Sequence, residues 1–113
     1  MEAQFEIFDI YGRRVICSKG MWYGKLCKIH GYLPQDENLV RQAISSPEDG
    51  YPRFDKDFPE NRREYYKKFL EKDYYAKVVV EFHQTDDGLV YGSVVSGYLP
   101  DDIDPREKIE KKP

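Results

Sequence analysis

The chain has 113 residues, 40% of them hydrophobic and 35% charged, and its formal net charge at pH 7 is −3. This length is enough for one domain with a single hydrophobic core, and the composition is typical of a folded protein rather than a disordered one. No apolar run approaches the roughly 18 residues of a membrane-spanning helix, and the first residues lack the pattern of a secretion signal. We therefore expect a cytoplasmic protein that is not inserted in a membrane.

The N-terminal residues predict a β-hairpin or an extended arm. Residues 5–8 and 13–17 carry apolar side chains typical of strands, and they flank a turn around Tyr11-Gly12. The Ser18-Lys19-Gly20 step then breaks this element.

The two cysteines, Cys17 and Cys27, are expected to be reduced, because a single pair without a secretion signal does not make a disulfide framework. Cys27 and His30 have the spacing of two metal ligands on a helix, but no second pair of ligand residues is evident. The sequence therefore predicts neither a metal site nor a cofactor.

Two helices are predicted next. In the first, apolar residues recur at spacings of four, three and four, within about 60° on a helical wheel, as a stripe that faces the core: Trp22, Leu26, Ile29 and Leu33. Gly31 and Pro34 end this helix. Asp36 is the predicted N-cap of the second helix, which stops at residues 45–47. Its apolar stripe consists of Leu39, Val40, Ala43 and Ile44.

The last third of the chain predicts a β-hairpin. Residues 74–83 and 89–98 are rich in β-branched and aromatic side chains, and they flank the short turn at residues 85–88. Upstream, residues 51–54 predict a short edge strand. Residues 62–70 fit a helix or a strand, and the Tyr65-Tyr66 pair and the need for a third long strand favour the strand.

These elements predict an α+β fold: an N-terminal β-hairpin or arm, two helices, then a three- to four-stranded antiparallel sheet with the helices packed on one face. Residues 1–104 form the predicted single domain. Residues 105–113 are predicted to be a charged, disordered tail.

Charge is distributed unevenly along the chain. Residues 36–60 contain seven acids and three bases, a local charge of −4, whereas residues 62–77 contain six bases and three acids, a local charge of +3. The basic strip suits a small anion such as one or two phosphates, and the alternative is an ordinary solvated face, which charge alone favours.

An ordered set of short motifs gives the chain a family resemblance. The motifs are Ile7-x-Asp9-x2-Gly12-Arg13, Trp22-x3-Leu26-x2-Ile29-His30, Arg63-x-Tyr65-Tyr66, Tyr75-x-Lys77-Val78-Val79-Val80 and Val95-Ser96-Gly97-Tyr98. Over residues 7–103 or so, the chain resembles the PBECR-type proteins, small phage- and bacteria-associated domains. These are assigned to the barnase, EndoU, colicin-nuclease and RelE-like superfamily of metal-independent RNases.

The resemblance implies a site for RNA cleavage by attack of the 2′-hydroxyl. That reaction needs a group that takes the 2′ proton, a cation for the phosphorane, and a donor for the leaving 5′ oxygen. The implied catalytic residues are His30, Arg63, Ser96 and Tyr66. The implied RNA-binding residues are Arg53, Lys67 and Tyr98. For each of them an ordinary packing or surface role is the alternative.

Two functions therefore stay open. The first is a toxin- or phage-associated endoribonuclease with RNA as its partner. The second is an inactive relative that binds RNA or a protein, such as an antitoxin; it is favoured by the insertion at residues 31–35 after His30 and by Ser96 where the family usually has threonine. A positive cleft with both His30 and Arg63 would favour cleavage, and an uncharged aromatic patch would favour a protein partner.

Overall fold

A six-stranded mixed sheet is the framework of the protein, as seen in a computed structural model that describes residues 2–112. Met1 and Pro113, the outer ends of the predicted domain and tail, lie outside the described residues. The strands are β1 (Ala3–Phe8), β2 (Arg14–Ser18), β3 (Arg53–Phe54), β4 (Arg62–Lys68), β5 (Tyr75–Gln84) and β6 (Val90–Tyr98). Their order across the sheet is β1-β2-β6-β5-β4-β3.

The predicted α+β class is confirmed, but the strand count and arrangement differ from the prediction. The N-terminal hairpin does not stand apart: β2 pairs with β6 in parallel, from Arg14 opposite Tyr91 to Ile16 opposite Ser93. All other neighbouring strands are antiparallel. The hairpin thus covers an edge of β6 that would otherwise be unpaired, and it extends the sheet to six strands.

The central hairpin and strand β4 confirm the sequence predictions. Strands β5 and β6 meet at a turn in which Gly88 has a φ of +87°, a conformation that favours glycine. Strand β4 pairs with β5 over its whole length. It carries Tyr65 and Tyr66 into buried positions on opposite faces of the sheet.

The first helical region is shorter than predicted. It consists of α1 (Lys19–Met21) and a π-helix (Trp22–Cys27). Trp22 and Leu26 are buried as expected, but Ile29 is 68% and Leu33 52% exposed. A π-helix has wider turns than an α-helix, and the helix ends before both residues, so a period of 3.6 no longer places them on the core side. Tyr32 is buried there instead.

Helix α2 (Glu37–Ser45) matches the prediction. Asp36 occupies the N-cap position, although its carboxylate accepts a hydrogen bond from the amide of Leu33 (2.8 Å) rather than from a helix amide. Val40, Ala43 and Ile44 are buried against one face of the sheet. That face carries Ala76, Val78 and Val80 of β5, in the alternation that the sequence predicts. Within residues 2–112, no helix has the length and apolarity needed to cross a membrane.

A β-bulge in strand β6 changes which face its side chains point to. Val79 is opposite Ser96 whereas Val80 is opposite Val94, so Val95 has no partner on β5. The carbonyl of Val95 accepts a hydrogen bond from Lys25 Nζ at 2.7 Å. As a result Val94 packs in the core, and Ser96 lies on the opposite face of the sheet.

The C-terminal segment, residues 104–112, differs from the predicted disordered tail. It runs along β3: the Phe54 amide donates to the Lys108 carbonyl (2.8 Å), and the Glu110 amide donates to the Pro52 carbonyl (2.9 Å). Glu107 and Glu110 are buried. The charged composition of the segment is typical of a solvent-exposed tail, but Glu107 forms an ion pair with Lys77, and Glu110 forms ion pairs with Arg13 and Arg63.

Candidate functional site

The face of the sheet opposite α2, here called the open face, contains a cavity of about 270 Å³. Strands β4, β5 and β6 form its floor, the loop at residues 55–58 forms one wall, and the C-terminal segment reaches over it. Its lining includes Glu64, Lys77, Ser96, Tyr98 and Glu107.

Strand register explains why these side chains meet. Two adjacent rows cross the three strands: Glu64, Val79 and Ser96 form one row. Tyr66, Lys77 and Tyr98 form the other. Residues in register on neighbouring strands lie on the same face. Because of the bulge at Val95, Ser96 and Tyr98 of β6 lie in these rows.

Lys77 is the centre of a buried ion cluster on the open face, here called the Glu107 cluster: Glu64, Tyr66, Lys77 and Glu107. Lys77 Nζ lies 2.6 Å from Glu64 Oε2 and 2.9 Å from Glu107 Oε2. The Tyr66 hydroxyl donates a hydrogen bond to Glu107 Oε1. One ammonium and two carboxylates give this cluster a formal charge of −1.

The hydroxyl of Tyr66 is held in its protonated form. Burial raises the pKa of Tyr66 above its usual value, and the adjacent Glu107 carboxylate raises this pKa further. The Tyr66 hydroxyl is therefore a hydrogen-bond donor throughout the neutral pH range.

Ser96 is a buried polar residue in this cavity. The residue is 7% exposed, and its Oγ atom has no hydrogen-bond partner within residues 2–112. Most buried side-chain polar groups in proteins are hydrogen-bonded, and leaving one unpaired costs about 1–3 kcal/mol. An unpartnered hydroxyl that lines a cavity beside an ammonium group can donate to a ligand oxygen.

His30 lies next to Tyr98, one of the residues that line the cavity. It follows the π-helix, and its ring makes an edge contact with the ring of Tyr98, with centroids 4.9 Å apart. Tyr98 lines the cavity and is 46% exposed. Tyr98 thus connects the histidine to the row that contains Lys77, whose Nζ is 5.9 Å from the Tyr98 ring centroid.

Arg63 lies on the other face of the sheet. Its side chain shares that face with Val80, with which it is in register, and its guanidinium stacks over the Phe54 ring at 4.2 Å. Arg63 Nε is 2.9 Å from Glu110 Oε2, an ion pair whose geometry falls short of a hydrogen bond. The structure therefore does not bring Arg63 and His30 into one cleft.

Arg53 and Lys67, the two cations predicted to bind RNA, make hydrogen bonds to backbone carbonyls of other parts of the chain. Arg53 Nη1 donates to the Glu107 carbonyl at 3.1 Å. Lys67 Nζ donates to the Ser46 carbonyl at 2.7 Å, at the end of α2. Neither side chain lines the open-face cavity.

A second buried ion cluster, here called the Glu110 cluster, lies on the helix-covered face and comprises Asp9, Arg13, Arg63, Tyr65 and Glu110. The Asp9 carboxylate accepts hydrogen bonds from the Arg13 side chain (2.9 Å) and the Tyr65 hydroxyl (2.6 Å). Arg13 also makes a two-pronged contact with Glu110, at 2.6 and 3.0 Å. Two carboxylates and two guanidinium groups give this cluster a formal charge of zero.

The paired arginines control the titration of Glu110. Burial alone raises the pKa of the Glu110 carboxyl group, but the hydrogen bonds from Arg13 and the positive charge of Arg63 outweigh it, and the pKa lies below its usual value. Glu110 is therefore ionised at neutral pH and keeps the cluster balanced.

Glu64, Lys77 and Glu107 line the cavity but were not among the predicted site residues. A signal existed for Lys77, because it is a charged residue directly before the three valines of β5. No local signal places Glu107 there, since its contacts to Tyr66 and Lys77 span 41 and 30 residues of sequence.

The comparisons with known proteins add no relative. No family model, curated protein or solved structure matches the chain. Among residues 2–112, no group of three or more His, Cys, Asp or Glu side chains is arranged to hold a metal ion. The open-face cavity itself is therefore the basis for assigning a function.

Proposed function

We propose that the open-face cavity is the active site of a metal-independent ribonuclease that cleaves RNA by attack of the 2′-hydroxyl. The observation that carries this proposal is the buried hydroxyl of Ser96, which has no hydrogen-bond partner among residues 2–112 and lines the same cavity as Lys77. His30 lies beside this cavity through its contact with Tyr98. Imidazole is the side chain best suited to proton transfer near neutral pH.

The proposed reaction assigns one task to each group. His30 accepts the 2′ proton as the 2′ oxygen attacks phosphorus, and Lys77 and Ser96 bind the phosphorane oxygens. The bond from phosphorus to the 5′ oxygen then breaks, and that oxygen takes the proton of the Tyr66 hydroxyl. The products are a 2′,3′-cyclic phosphate and a 5′-hydroxyl. Tyr98, which is half-exposed, offers a ring on which a base can stack.

Lys77 replaces Arg63 as the phosphate-binding cation in this proposal. The reason is position, because Lys77 lines the cavity whereas Arg63 belongs to the Glu110 cluster on the other face. The experiment is to incubate the purified chain with bulk tRNA and mixed single-stranded RNA in EDTA. We expect cleavage by the wild type, and losses of about 100-fold or more in His30→Ala and Lys77→Met.

Lys67→Met is the matched control, because Lys67 contacts the end of α2 and not the cavity. Its cleavage rate should equal that of the wild type. Cleavage that persists in both His30→Ala and Lys77→Met, with circular dichroism showing all proteins folded, would contradict the assignment of the site.

The charge of the cavity favours a second candidate, an inactive domain of the same fold that binds a protein or RNA. Three cations and four carboxylates line the cavity, a formal charge of −1, and Lys77 is paired with two of those carboxylates. Phosphate binding is weakened by such a lining. Fluorescence anisotropy with labelled single-stranded RNA separates the cases: binding without any cleavage in EDTA would support the second candidate.

A further inference from the structure

The open-face cavity contains an anion that the protein itself supplies, the carboxylate of Glu107. The Glu107 side chain is 1% exposed. One of its oxygens lies 2.9 Å from Lys77 Nζ, and the other accepts a hydrogen bond from Tyr66. A lysine ammonium and a hydroxyl are also groups with which proteins bind the oxygens of a phosphate.

Lys77 has a second anionic partner, so the cluster contains one more carboxylate than its single ammonium group can neutralise. Glu64 Oε2 lies 2.6 Å from the same ammonium group. Two buried carboxylates that share one ammonium repel each other, and their mutual repulsion destabilises the ionised pair. Glu64 is held in strand β4, whereas Glu107 lies in the C-terminal segment, outside the helices and strands. Glu107 is therefore the carboxylate that can withdraw.

Ser96 supplies an independent sign of a ligand. Its buried hydroxyl lines the same cavity and has no hydrogen-bond partner within residues 2–112. Both carboxylate oxygens of Glu107 are used by Lys77 and Tyr66. A phosphate group has further oxygens, so it can take the place of Glu107 at these two residues and also accept a hydrogen bond from Ser96.

We infer that Lys77, Tyr66 and Ser96 form a phosphate-binding site that Glu107 occupies in the free chain, and that a phosphate-bearing ligand displaces the Glu107 side chain from this site. The phosphate belongs to free inorganic phosphate or to an RNA backbone; for RNA, the inference rests on the proposed function. The C-terminal segment then acts as an intramolecular competitor of the ligand.

The test compares the full-length wild type with Glu107→Gln and with Glu71→Gln. Glu71 is exposed in the turn before β5, so its substitution removes the same charge away from the cavity. Inorganic phosphate and a short single-stranded RNA are titrated separately, with the amide signals of residues 66, 77 and 96 followed by NMR. We expect Glu107→Gln to bind phosphate about tenfold or more tightly than the other two proteins, the gain from removing one charged competitor.

Adding Ser96→Ala to Glu107→Gln should remove most of that gain. Equal phosphate affinity in the three proteins, or binding that leaves the three amides unshifted, would overturn the inference. A response to RNA alone identifies the backbone phosphate as the ligand, and a response to phosphate alone identifies the free ion.

A measurement on the wild type keeps the inference testable if Glu107→Gln does not fold. The amide of Phe54 donates a hydrogen bond to the carbonyl of Lys108, the residue next to Glu107. Saturating phosphate should speed the hydrogen exchange of this amide, and unchanged protection would refute displacement. Tight phosphate binding without RNA cleavage would support this inference and contradict the proposed function. RNA cleavage at the same rate in the wild type and in Glu107→Gln would support the proposed function and contradict this inference.

Discussion

Two buried ion clusters lie on opposite faces of the same sheet, and each receives one glutamate from the C-terminal segment. The Glu110 cluster pairs two carboxylates with two guanidinium groups, and its charges sum to zero. The Glu107 cluster has two carboxylates and one ammonium, and it sums to −1. The Glu107 cluster also borders a cavity that contains the hydroxyl of Ser96, which is without a hydrogen-bond partner in the described part of the chain.

This difference separates a structural ion network from a candidate binding site. A buried charge stabilises a fold only when its partners and hydrogen bonds compensate for lost hydration. In the Glu110 cluster the charges balance, although Arg63 Nε makes no hydrogen bond within residues 2–112, and the cluster ties the chain end to the N-terminal hairpin through Arg13. The Glu107 cluster keeps an excess of negative charge and a free donor, as expected of a site that exchanges one anion for another.

The largest expected effect is the loss of stability when the balanced cluster is broken at Asp9. Its carboxylate accepts four hydrogen bonds: from the amides of Tyr11 and Arg13, the Arg13 side chain and the Tyr65 hydroxyl. Asp9→Ala leaves buried donors unpaired, so the free energy of unfolding in urea should fall by about 3–5 kcal/mol. Asp101→Ala, at an exposed position, is the control. A loss below 1 kcal/mol at Asp9 would show that the network contributes little.

The next effect contrasts the two glutamates of the C-terminal segment. Glu110→Gln removes charge-assisted hydrogen bonds to Arg13 and should cost about 2 kcal/mol at pH 7. Glu107→Gln relieves the repulsion with Glu64, so its cost should stay within about 1 kcal/mol. Equal losses of unfolding free energy in Glu110→Gln and Glu107→Gln, measured in urea, would show that the two clusters do not differ in this way.

Glu110→Gln is also expected to change how the free energy of unfolding depends on pH. The pKa of Glu110 is lower in the folded chain than its usual 4.5, so its contribution to stability is present above pH 4.5 and is lost as the pH falls through the folded-state pKa. The wild type should lose stability steeply in that range, and Glu110→Gln should lose less. If the free energy of unfolding fell equally with pH in the wild type and in Glu110→Gln, the role given to Glu110 would be contradicted.

The smallest effect concerns the bulge that places Ser96 in the cavity. Lys25→Met removes the 2.7 Å hydrogen bond to the Val95 carbonyl, and it should cost about 1 kcal/mol while weakening phosphate binding. Lys28→Met, at an exposed position, controls for charge. Phosphate affinity that is unchanged in Lys25→Met would show that the bulge does not need this support.

Short-range patterns predicted much of the fold. The alternation along β5 separates Lys77 from Val78 because side chains of a strand point to opposite faces in turn, and the structure places them as expected. Other features depend on long-range contacts. Val94 and Val95 are both apolar, so no local sequence signal predicts the bulge. Ile29 is exposed because the π-helix has wider turns than an α-helix and ends at Cys27.

The candidate site was less predictable than the fold. Of the site residues predicted from the sequence, Ser96 and Tyr98 line the cavity, His30 contacts Tyr98, and Tyr66 contacts Glu107. Lys77 was not among the predicted site residues, because its place in the cavity depends on the register between β4, β5 and β6. The burial of Glu107 depends on a chain end whose composition resembles that of a solvated tail.

The central claim is that the open-face cavity binds the phosphate of a ligand and the Glu110 cluster does not. The most direct test is NMR mapping with a short RNA whose 2′-hydroxyls are methylated, so that it binds without being cleaved. We predict that amide signals at Tyr66, Lys77 and Ser96 shift, while those at Asp9 and Arg13 stay in place. Shifts confined to the Glu110 cluster, or none at either cluster with RNA or inorganic phosphate, would contradict the claim.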